Sequence, residues 1–493
     1  MPFSRRTAIG ALAAAPLIRT GRALAKDSVD VVVIGAGLSG LNAAWILTEA
    51  GYDVTVLEGA TRVGGRAWTA TDSETEPELG ASQVGPSYAR VLDAIGRLDL
   101  HMIPEDRDIM PFDYHLGGRF IKSKDWPDHD FNKMSPAERK IPPLQVGAQL
   151  IAKLNPMKEL DDWLRPEFAA YDISIAALFQ KSGVSPAAIK LATLTNNMHD
   201  SSVLGLMQDG LRGAFEARFS DARSEQIGGA LVTKSTETSP AAKWPKNFKG
   251  GASKLAEGMA ARLERPPVTG KIVAAVDMDD TGADVRCLDG ATIRAKFVVA
   301  AIPFSILRMI DISPVPDAVH FDAIHNIGYT DTTRLFCTIK EPFWEADGSS
   351  PSLFTDGALR MMWVLDNHKG GAKGPLQGPY RADIVLTGGA ADRVALMPPD
   401  RASAFMLAEL ERLRPASKGQ VVVHRFHSWG QQPFQRGCRH NFKPGQIKAF
   451  ANDMVLPWQR LHFCGEHTRR LDYGMESAFE SGERAAQELM QRL

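Results

Sequence analysis

The amino-acid sequence predicts a mixed α/β fold. Residues 29–34 form a valine-rich run typical of a buried parallel strand, residues 41–50 have a helical pattern, and residues 52–57 indicate a second strand. Further strand patterns lie at 268–276, 283–288 and 297–302. The chain has 493 residues, more than one domain of ~150 residues requires. We therefore expect strands and helices in alternation, arranged in more than one domain.

The composition is that of a folded protein and excludes several functional classes. Hydrophobic residues make up 44 % of the chain and charged residues 23 %. Lys and Arg (57) nearly balance Asp and Glu (58), so we expect no nucleic-acid partner. No apolar run reaches the ~18–20 residues that span a bilayer, so we expect no membrane span. Cys287, Cys337, Cys438 and Cys464 lie far apart and indicate neither a metal site nor a disulfide framework.

Residues 1–25 have the pattern of an export signal. Arg5 and Arg6 give a basic start, residues 7–18 are apolar, and the run Ala23-Leu24-Ala25 is typical of a cleavage site. The arginine pair adds a twin-arginine signature, which belongs to an export route for folded proteins. We expect a cleaved twin-arginine signal peptide and a periplasmic protein. The alternative is a disordered basic N-terminus.

A glycine-rich turn joins the first strand to the first helix. Its sequence is Gly35-Ala36-Gly37-Leu38-Ser39-Gly40. Gly35 permits the tight turn, Gly37 lets the backbone approach a pyrophosphate, and Gly40 lets the helix pack closely on the strand. Glu58, followed by Gly59, closes the second strand, where a carboxylate accepts hydrogen bonds from ribose hydroxyls. The strand, helix and acid around the turn favour a dinucleotide-binding unit over an unrelated glycine-rich turn.

A second glycine loop follows the second strand. Gly64 and Gly65 let the main chain press against a bulky ligand, and Arg66 can meet the charge of a pyrophosphate. Together with Glu58, this loop resembles the flavin-containing amine oxidase family, which includes monoamine oxidases, polyamine oxidases and L-amino-acid oxidases. The resemblance implies bound FAD. Ala60 departs from the family, which often has an arginine near the ribose.

The resemblance continues through the middle of the chain. Residues 78–86 are similar to the family segment that runs beside the flavin ring. The residues of that segment that the resemblance assigns to the cofactor are Ala81, Ser82 and Gln83. Residues 249–263 resemble the central Gly-Gly element and its helix. In the following strand, the resemblance assigns the backbone of Ile272 to the adenine.

Near the C-terminus, residues 461–468 and 474–486 resemble a family signature. They indicate a strand, a glycine turn and a final amphipathic helix. By resemblance, Glu466 bonds the ribityl chain, and the positive N-terminus of the last helix stabilises the anionic reduced flavin. The cofactor residues assigned here are Gly465, Glu466, Gly474 and Met475. We interpret His467 as a structural or flavin-adjacent histidine rather than a base.

The resemblance also divides the chain into two interleaved domains. A Rossmann-like FAD-binding domain comprises residues 27–105, 247–310 and 425–493. A substrate-binding domain, built from a sheet and helices, comprises residues 106–246 and 311–424.

The activity that the resemblance implies is FAD-dependent oxidation of a primary or secondary amine. A hydride passes from the carbon beside the nitrogen to flavin N5, and the imine hydrolyses to a carbonyl compound and an amine or ammonia. Either O2 or a c-type cytochrome then accepts the electrons. The oligomeric state is left open, with a homodimer among the options.

Arg334 stands where the family has a lysine that holds a water near flavin N5. An arginine can hold a water but does not deprotonate. Thr332 or Thr333 are alternative residues for lining the site. A shift of one residue in the strand register would place Arg334 on the surface, because strand faces alternate.

The aromatic cage of the family is incomplete in this sequence. One ring is expected at Gly474, but the aromatic residue is Tyr473, and the position of the other ring holds Arg439. Arg439 is either a binder of a substrate carboxylate or a solvated arginine. Cys438 stands where monoamine oxidases bond the flavin, so covalent attachment is a hypothesis beside a buried, unreactive thiol. Trp429 is assigned to the site wall, with core packing as the alternative.

Three other functions remain open at this point. An L-amino-acid oxidase on the same scaffold would need an arginine for the α-carboxylate, and Arg439 or Arg90 are the candidates. A carotenoid-type C–C dehydrogenase shares the N-terminal fingerprint, although residues 340–344 and 463–467 speak against it. A flavoprotein without catalytic activity is the last alternative.

Overall fold

The structure is a computed structural model. It describes residues 28–104, 109–216, 223–227, 230–234, 246–365 and 380–493. For residues 223–227 and 230–234 it describes the backbone alone. The signal peptide predicted for residues 1–25 lies outside the described residues.

The strands are numbered in chain order. They are β1 (Val29–Ile34), β2 (Val54–Glu58), β3 (Met102–Pro104), β4 (Phe112–Leu116), β5 (Arg119–Ile121), β6 (Arg223–Ile227), β7 (Ala230–Lys234), β8 (Lys246–Phe248), β9 (Val268–Thr269), β10 (Val273–Met278), β11 (Ala283–Cys287), β12 (Thr292–Ala300), β13 (Asp311–Ser313), β14 (Gly328–Thr330), β15 (Thr332–Ile339), β16 (Ser352–Thr355), β17 (Met361–Leu365), β18 (Tyr380–Thr387), β19 (Val421–Ser428), β20 (Arg439–Asn441) and β21 (Leu461–Phe463).

The helices are numbered in the same way. They are α1 (Leu38–Glu49), α2 (Ala89–Arg97), α3 (Val146–Leu154), α4 (Ile175–Lys181), α5 (Pro186–Ala192), α6 (Val203–Glu216), α7 (Ser253–Arg262), α8 (Phe304–Leu307), α9 (Ala318–Asn326), α10 (Phe343–Asp347), α11 (Gly389–Ala395), α12 (Pro399–Leu413) and α13 (Gly474–Met490). In the described part of the chain, none of them has the length and apolar character needed to cross a bilayer.

The larger sheet has a parallel centre. β1 lies between β2 and β12, β9 continues the parallel order beyond β2, and β21 pairs with the C-terminal half of β12. The other half of β12 carries the antiparallel strands β11 and β10, with β13 at the edge. Val31, Val32 and Val33 have no exposed surface, because both faces of β1 are covered. The mixed α/β class and the first βαβ unit predicted from the sequence are confirmed.

Helices α1 and α13 pack against each other beside the glycine turn. A Cβ on Gly482 would stand 2.4 Å from the backbone oxygen of Ser39, so the two helices touch at this point. The side chain of Asn42 donates a hydrogen bond of 2.9 Å to the carbonyl of Phe479. The contact places the C-terminal helix next to the first turn of α1.

The second sheet has the strand order β19-β15-β18-β17-β16-β4-β5. One of its faces is apolar: Leu335, Met362 and Ile384 are buried in a core that includes residues of α11 and α12. Arg334 and Asp383 lie on the opposite face, because side chains alternate along a strand. The domain boundary predicted at residue 425 falls inside β19, which pairs with β15 of this sheet.

One predicted strand is divided in the structure. The single strand predicted over 268–276 is wrong: β9 and β10 are separate strands, and the left-handed Gly270 (φ +70°) lies between them. β9 pairs with β2, whereas β10 pairs with β11, so the two halves of this segment occupy different positions in the sheet.

Candidate active site

A cavity of about 380 Å³ is lined both by the glycine turn before α1 and by the first turn of α13. Most of the residues predicted to hold the cofactor line it. They are Gly35, Gly37, Leu38, Ser39, Glu58, Gly59, Gly64, Gly65, Arg66, Ala81, Ile272, Cys438, Gly465, Glu466, Gly474 and Met475. We call this space the cofactor cavity. The sequence therefore predicted a set of distant segments that the fold brings together.

The three glycines of the first turn have different surroundings. A Cβ on Gly35 would stand 2.8 Å from the backbone oxygen of Ala301, and a Cβ on Gly40 would stand 2.1 Å from the oxygen of Gly35. No heavy atom lies within 4 Å of the place where a Cβ on Gly37 would stand. Gly35 and Gly40 are therefore required by packing within the protein, whereas Gly37 leaves open space beside the cavity.

Glu58 is held at the end of β2 by the backbone of both neighbouring loops. Its carboxylate accepts hydrogen bonds from the amides of Ala36 (2.7 Å) and Ala60 (2.8 Å). Burial raises the pKa of Glu58, and these two amides and the nearby Arg62 oppose that shift. The carboxylate links the glycine turn to the loop after β2, and its residue lines the cavity where a ribose is expected.

The loop with Gly64 and Gly65 packs on the first glycine turn. The amide of Gly64 donates a 2.8 Å hydrogen bond to the carbonyl of Ala36. Both glycines have positive φ, +100° and +57°, which a side chain would strain. The two glycine loops thus form one continuous wall of the cavity.

Arg66, His440 and Glu466 form a buried hydrogen-bonded cluster at the same cavity. Arg66 Nη1 donates to Glu466 Oε1 at 2.7 Å and to the carbonyl of Cys438 at 2.9 Å. His440 Nδ1 lies 2.6 Å from Glu466 Oε2. Burial alone would raise the pKa of Glu466, but His440 and Arg66 hold it well below its usual range. Glu466 is therefore an ionised acceptor with a fixed orientation.

His467 is buried beside this cluster without a polar partner. Neither ring nitrogen has a hydrogen-bond partner among the described residues, and the ring lies edge-on to Phe304 at 4.3 Å. Burial lowers the pKa of His467 to about 3. The residue is a neutral imidazole at neutral pH, and no proton acceptor or donor is aligned with it. His467 also lines the cofactor cavity, and its interpretation as a structural or flavin-adjacent histidine stays a prediction.

A second cavity, of about 990 Å³, adjoins the first. We call it the substrate-side cavity. The residues that line both cavities are Gly80, Ala81, Thr332, Arg334, Cys438, Arg439, Tyr473, Gly474 and Met475. We call this shared set the junction. Ser82 and Gln83, predicted for the cofactor, line the substrate-side cavity alone, and Gly40 is absent from both linings because it packs beneath the turn.

The floor of the substrate-side cavity is the polar face of the second sheet. Arg334 lies on this face and contacts Asp383 Oδ2 at 2.5 Å through Nη2. The surface position that a register shift would have given Arg334 is therefore wrong. Thr333 points the other way, is fully buried and lines neither cavity, so Thr332 is the threonine at the junction.

Tyr473 and Arg439, at the positions of the incomplete aromatic cage, line both cavities. The Tyr473 hydroxyl donates to Glu216 at 3.1 Å, and its ring is edge-on to Tyr88 at 6.2 Å. Arg439 Nη2 contacts Asp209 at 2.6 Å, and its side chain is 40 % exposed. Arg469 also contacts Asp209. Arg439 is therefore paired rather than simply solvated, and it shares its carboxylate with a second guanidinium.

Cys438 and Trp429 both line the cofactor cavity. Burial raises the pKa of the Cys438 thiol, with the nearby Thr332 and Arg66 opposing it, so the thiol is protonated at neutral pH. Covalent attachment of the flavin stays a hypothesis. Trp429 is 1 % exposed and donates through Nε1 to the carbonyl of Leu79 at 3.0 Å, so it serves both the core and the wall.

Comparison with known proteins decides the family. The flavin containing amine oxidoreductase family matches residues 38–490. The chain belongs to this family. It is 26 % identical to human amine oxidase [flavin-containing] B, covering 94 % of this chain and 86 % of that protein. It is also 26 % identical to a flavin-dependent L-tryptophan oxidase of Lentzea aerocolonigenes, covering 93 % and 97 % of the two chains.

Two solved structures show the same fold. A putrescine oxidase bound to putrescine matches with a TM-score of 0.70 at 21 % identity, over 94 % of this chain and 99 % of that one. The cyclohexylamine oxidase of Brevibacterium oxydans matches with a TM-score of 0.71 at 21 % identity and the same coverage. The protein is thus an FAD-dependent amine oxidoreductase. Membership of this family gives no support to a carotenoid-type dehydrogenase or to a flavoprotein without activity.

The residues of the cofactor cavity fit FAD. The open space at Gly37 lies where a pyrophosphate approaches the backbone, next to the N-terminus of α1, which has no acidic residue in its first turn. Glu58 and Glu466 supply carboxylates at two separate places along the cavity lining. The individual roles assigned to the cofactor residues stay predictions.

Several residues of the site were not found from the sequence. Asp383, Asp209, Tyr88 and Arg360 line the substrate-side cavity. Asp383 had a signal, since it is an acidic residue directly before the apolar run Ile384-Val385-Leu386 of β18. The other three reach the cavity from unrelated segments, and no local pattern marks them.

The glycine geometry predicts opposite effects for two alanine substitutions. Gly40→Ala places a methyl group against a backbone oxygen and should lower the free energy of unfolding by about 1–3 kcal/mol even without FAD. Gly37→Ala meets no protein atom, so it should leave apoprotein stability unchanged and weaken FAD binding about tenfold, or ~1.4 kcal/mol. Denaturant unfolding of the apoprotein and FAD titration check both. Equal stability of the two apoproteins would contradict the packing argument.

The buried His467 predicts an acid-sensitive contribution to stability. Its folded-state pKa of about 3 lies below the 6.5 of a free histidine, so the unfolded state binds the proton first. The stability it contributes is complete above pH 6.5 and is lost as the pH falls toward 3. Between pH 7 and pH 5, the wild type should lose about 2 kcal/mol more than His467→Leu. Denaturant unfolding at the two pH values measures this, with the exposed His101→Leu as the control that should behave as wild type.

Proposed function

We propose that the protein is a periplasmic enzyme that oxidises a primary or secondary amine at the junction of its two cavities. The observation that carries this proposal is the shared lining: Thr332, Arg334, Cys438 and Tyr473 face both the cofactor cavity and the substrate-side cavity. A substrate in the second cavity therefore meets the cofactor at this set of residues. The family relationship supports the reaction class.

FAD, when bound, accepts a hydride from the carbon beside the amine nitrogen and so supplies the redox chemistry. The chain positions and insulates that reaction. Glu466, fixed by Arg66 and His440, presents a charged acceptor to the cofactor. The first turn of α13 presents the positive end of a helix dipole, and no side chain caps it. The helix terminus favours negative charge on the bound group, whereas the Glu466 carboxylate accepts a hydrogen bond from it.

The residues that line the junction orient the substrate and do not serve as an acid or a base. Tyr473 and Tyr88 present a pair of rings, and the hydrogen bond from Tyr473 to Glu216 fixes the first of them. The neutral imidazole of His467 is not aligned with the substrate-side cavity. We propose that the amine reacts in its neutral form, and that the imine then hydrolyses to a carbonyl compound and an amine or ammonia.

One observation favours an amino-acid oxidase as the second candidate. Arg439 and Arg469 share the carboxylate of Asp209 in the substrate-side cavity, and Arg439 also lines the junction. A relative acts as an L-tryptophan oxidase by its name. The other candidate arginine, Arg90, contacts Asp472, Glu476 and Glu483 and lines neither cavity, so it does not serve this role.

Anaerobic reduction of the flavin tests the proposed function. Members of a panel of primary and secondary amines should bleach the oxidised flavin, and re-oxidation with O2 or with a c-type cytochrome then identifies the electron acceptor. Reduction by amino acids but not by the corresponding decarboxylated amines would favour the second candidate. A flavin that no amine and no amino acid reduces would overturn both.

Tyr473 provides the matched variants for that experiment. Tyr473→Leu removes the ring and should raise the KM of the best amine about tenfold, because an aromatic contact of ~1 kcal/mol and its buried area are lost. Tyr473→Phe keeps the ring and loses only the bond to Glu216, so its KM should stay within about threefold of the wild type. Equal KM values for Tyr473→Leu and the wild type would remove Tyr473 from the site.

We further propose export by the twin-arginine route, supported by the pattern of residues 1–25. Replacing both Arg5 and Arg6 by Lys should keep the flavoprotein in the cytoplasm of a Gram-negative host. Cell fractionation and immunoblotting measure the distribution. Arg19→Lys with Arg22→Lys is the matched control, which should still reach the periplasm. Normal export of the Arg5/Arg6 variant would refute this route.

A further inference from the structure

We propose that the floor of the substrate-side cavity binds an anionic group, and that the amine substrate carries a carboxylate remote from its reacting nitrogen. This inference rests on the proposed amine oxidation and adds the class of substrate. It concerns Arg334, Arg360 and Arg381, which all line this cavity. Of these, only Arg334 was predicted for the site from the sequence.

The register of the second sheet puts two of these arginines on one face. Arg334 of β15 is opposite Val385 of β18, and Arg381 lies on β18 four residues before Val385, on the same side. Both guanidinium groups turn toward Asp383, which lies between them on that strand: Nη2 of Arg334 is 2.5 Å and Nε of Arg381 is 3.5 Å from its carboxylate. One carboxylate thus serves two cations.

Arg360 adds a third cation at the start of β17. Its Nη1 donates to the carbonyl of Asp356 at 3.0 Å, and it forms no ion pair with a carboxylate among the described residues. Burial lowers the pKa of Arg360, the neighbouring Arg393 adds to that shift, and Asp356 opposes it. A half-buried guanidinium that no carboxylate contacts directly is costly unless an anion reaches it.

One further carboxylate acts on the arginines of the floor. Burial raises the pKa of Glu78, and Arg381 and Arg334 oppose that shift. Its carboxylate also accepts the amide of Ala252 and the hydroxyl of Thr69. The remaining acids that line the cavity either face other donors or lie exposed at its edge. They are Asp200, Asp209, Glu216, Asp331 and Asp392. Glu78 therefore offsets part of the charge of Arg334 and Arg381, so the anion site depends chiefly on Arg360.

The floor also has buried hydrogen-bond donors that lack an acceptor. Trp363 Nε1, Arg334 Nε and Arg360 Nε are buried, and none of them has an acceptor among the described residues. All three groups donate and cannot accept. A ligand that satisfies this part of the cavity therefore supplies acceptors and negative charge, as a carboxylate does.

The floor extends from the junction away from the cofactor cavity. Arg334 belongs to the junction, whereas Arg360 and Arg381 line the substrate-side cavity alone. A carboxylate held by Arg360 lies beyond the junction, so we expect several bonds between it and the reacting amine, unlike the α-carboxylate of an amino acid.

Calorimetric titration of the holoenzyme with glutarate tests the binding site without any turnover. Glutarate should bind the wild type, whereas glutaramide, its uncharged counterpart with the same carbon chain and no amine, should not bind at the floor and should not compete with it. Arg360→Gln should weaken glutarate binding at least tenfold. Arg412→Gln, an exposed arginine on α12 outside both cavities, is the matched control and should bind as the wild type does. No glutarate binding to the wild type, or equal binding to Arg360→Gln, would overturn the proposal.

A substrate pair separates this inference from the proposed function. The wild type should prefer 5-aminopentanoate over pentylamine at least tenfold in kcat/KM, and Arg360→Gln should reduce that preference to about threefold or less. The flavin content and melting temperature of the variant establish that it is folded. Turnover of pentylamine with no preference for the carboxylate overturns the anion site and leaves amine oxidation intact. Glutarate binding without turnover of any amine overturns the proposed function and leaves the site intact.

Discussion

The structure depends on one close approach between backbone segments. Gly40 stands where any side chain would strike the carbonyl of Gly35, and Gly35 itself presses on Ala301 at the end of β12. This contact joins β1, α1 and β12 without intervening side chains. Because of it, the N-terminus of α1 faces the cavity, the space at Gly37 stays open, and α13 fits against α1 through Gly482. Residues from both ends of the chain then line one cavity.

Side chains alternate between the two faces of the second sheet, so that one face packs in the core and the other faces the substrate-side cavity. Odd-numbered positions of β15 such as Leu335 and Cys337 fill the apolar core, whereas Arg334 and Phe336 lie on the face toward the substrate-side cavity. A shift of one residue would exchange these roles along the whole strand. Asp383 on that face contacts both Arg334 and Arg381. The same alternation that stabilises the sheet thus places charged groups toward the substrate-side cavity.

Sequence patterns predicted the parts of the molecule whose contacts lie between residues close together along the chain. The valine run, the glycine turn and Glu58 lie within one βαβ unit, so their spacing is sufficient to predict their geometry. The strand predicted over 268–276 failed because the left-handed Gly270 divides it, and the two halves find partners in different parts of the sheet. Tyr88 and Asp209 could not be predicted for the site, since they reach it from α2's N-terminal end and from α6 through contacts with Tyr473 and Arg439.

The sequence by itself determined the family, the cofactor and the residues around the first glycine turn, because these depend on backbone conformations that only particular residues adopt. Tertiary structure alone decided which charges meet. It turned Arg334 toward the cavity, paired Arg439 with Asp209, and left Arg360 without a carboxylate among the described residues. Electrostatic partners are set by distance in space, and residues that are remote along the chain become neighbours only when the two sheets and their helices have packed.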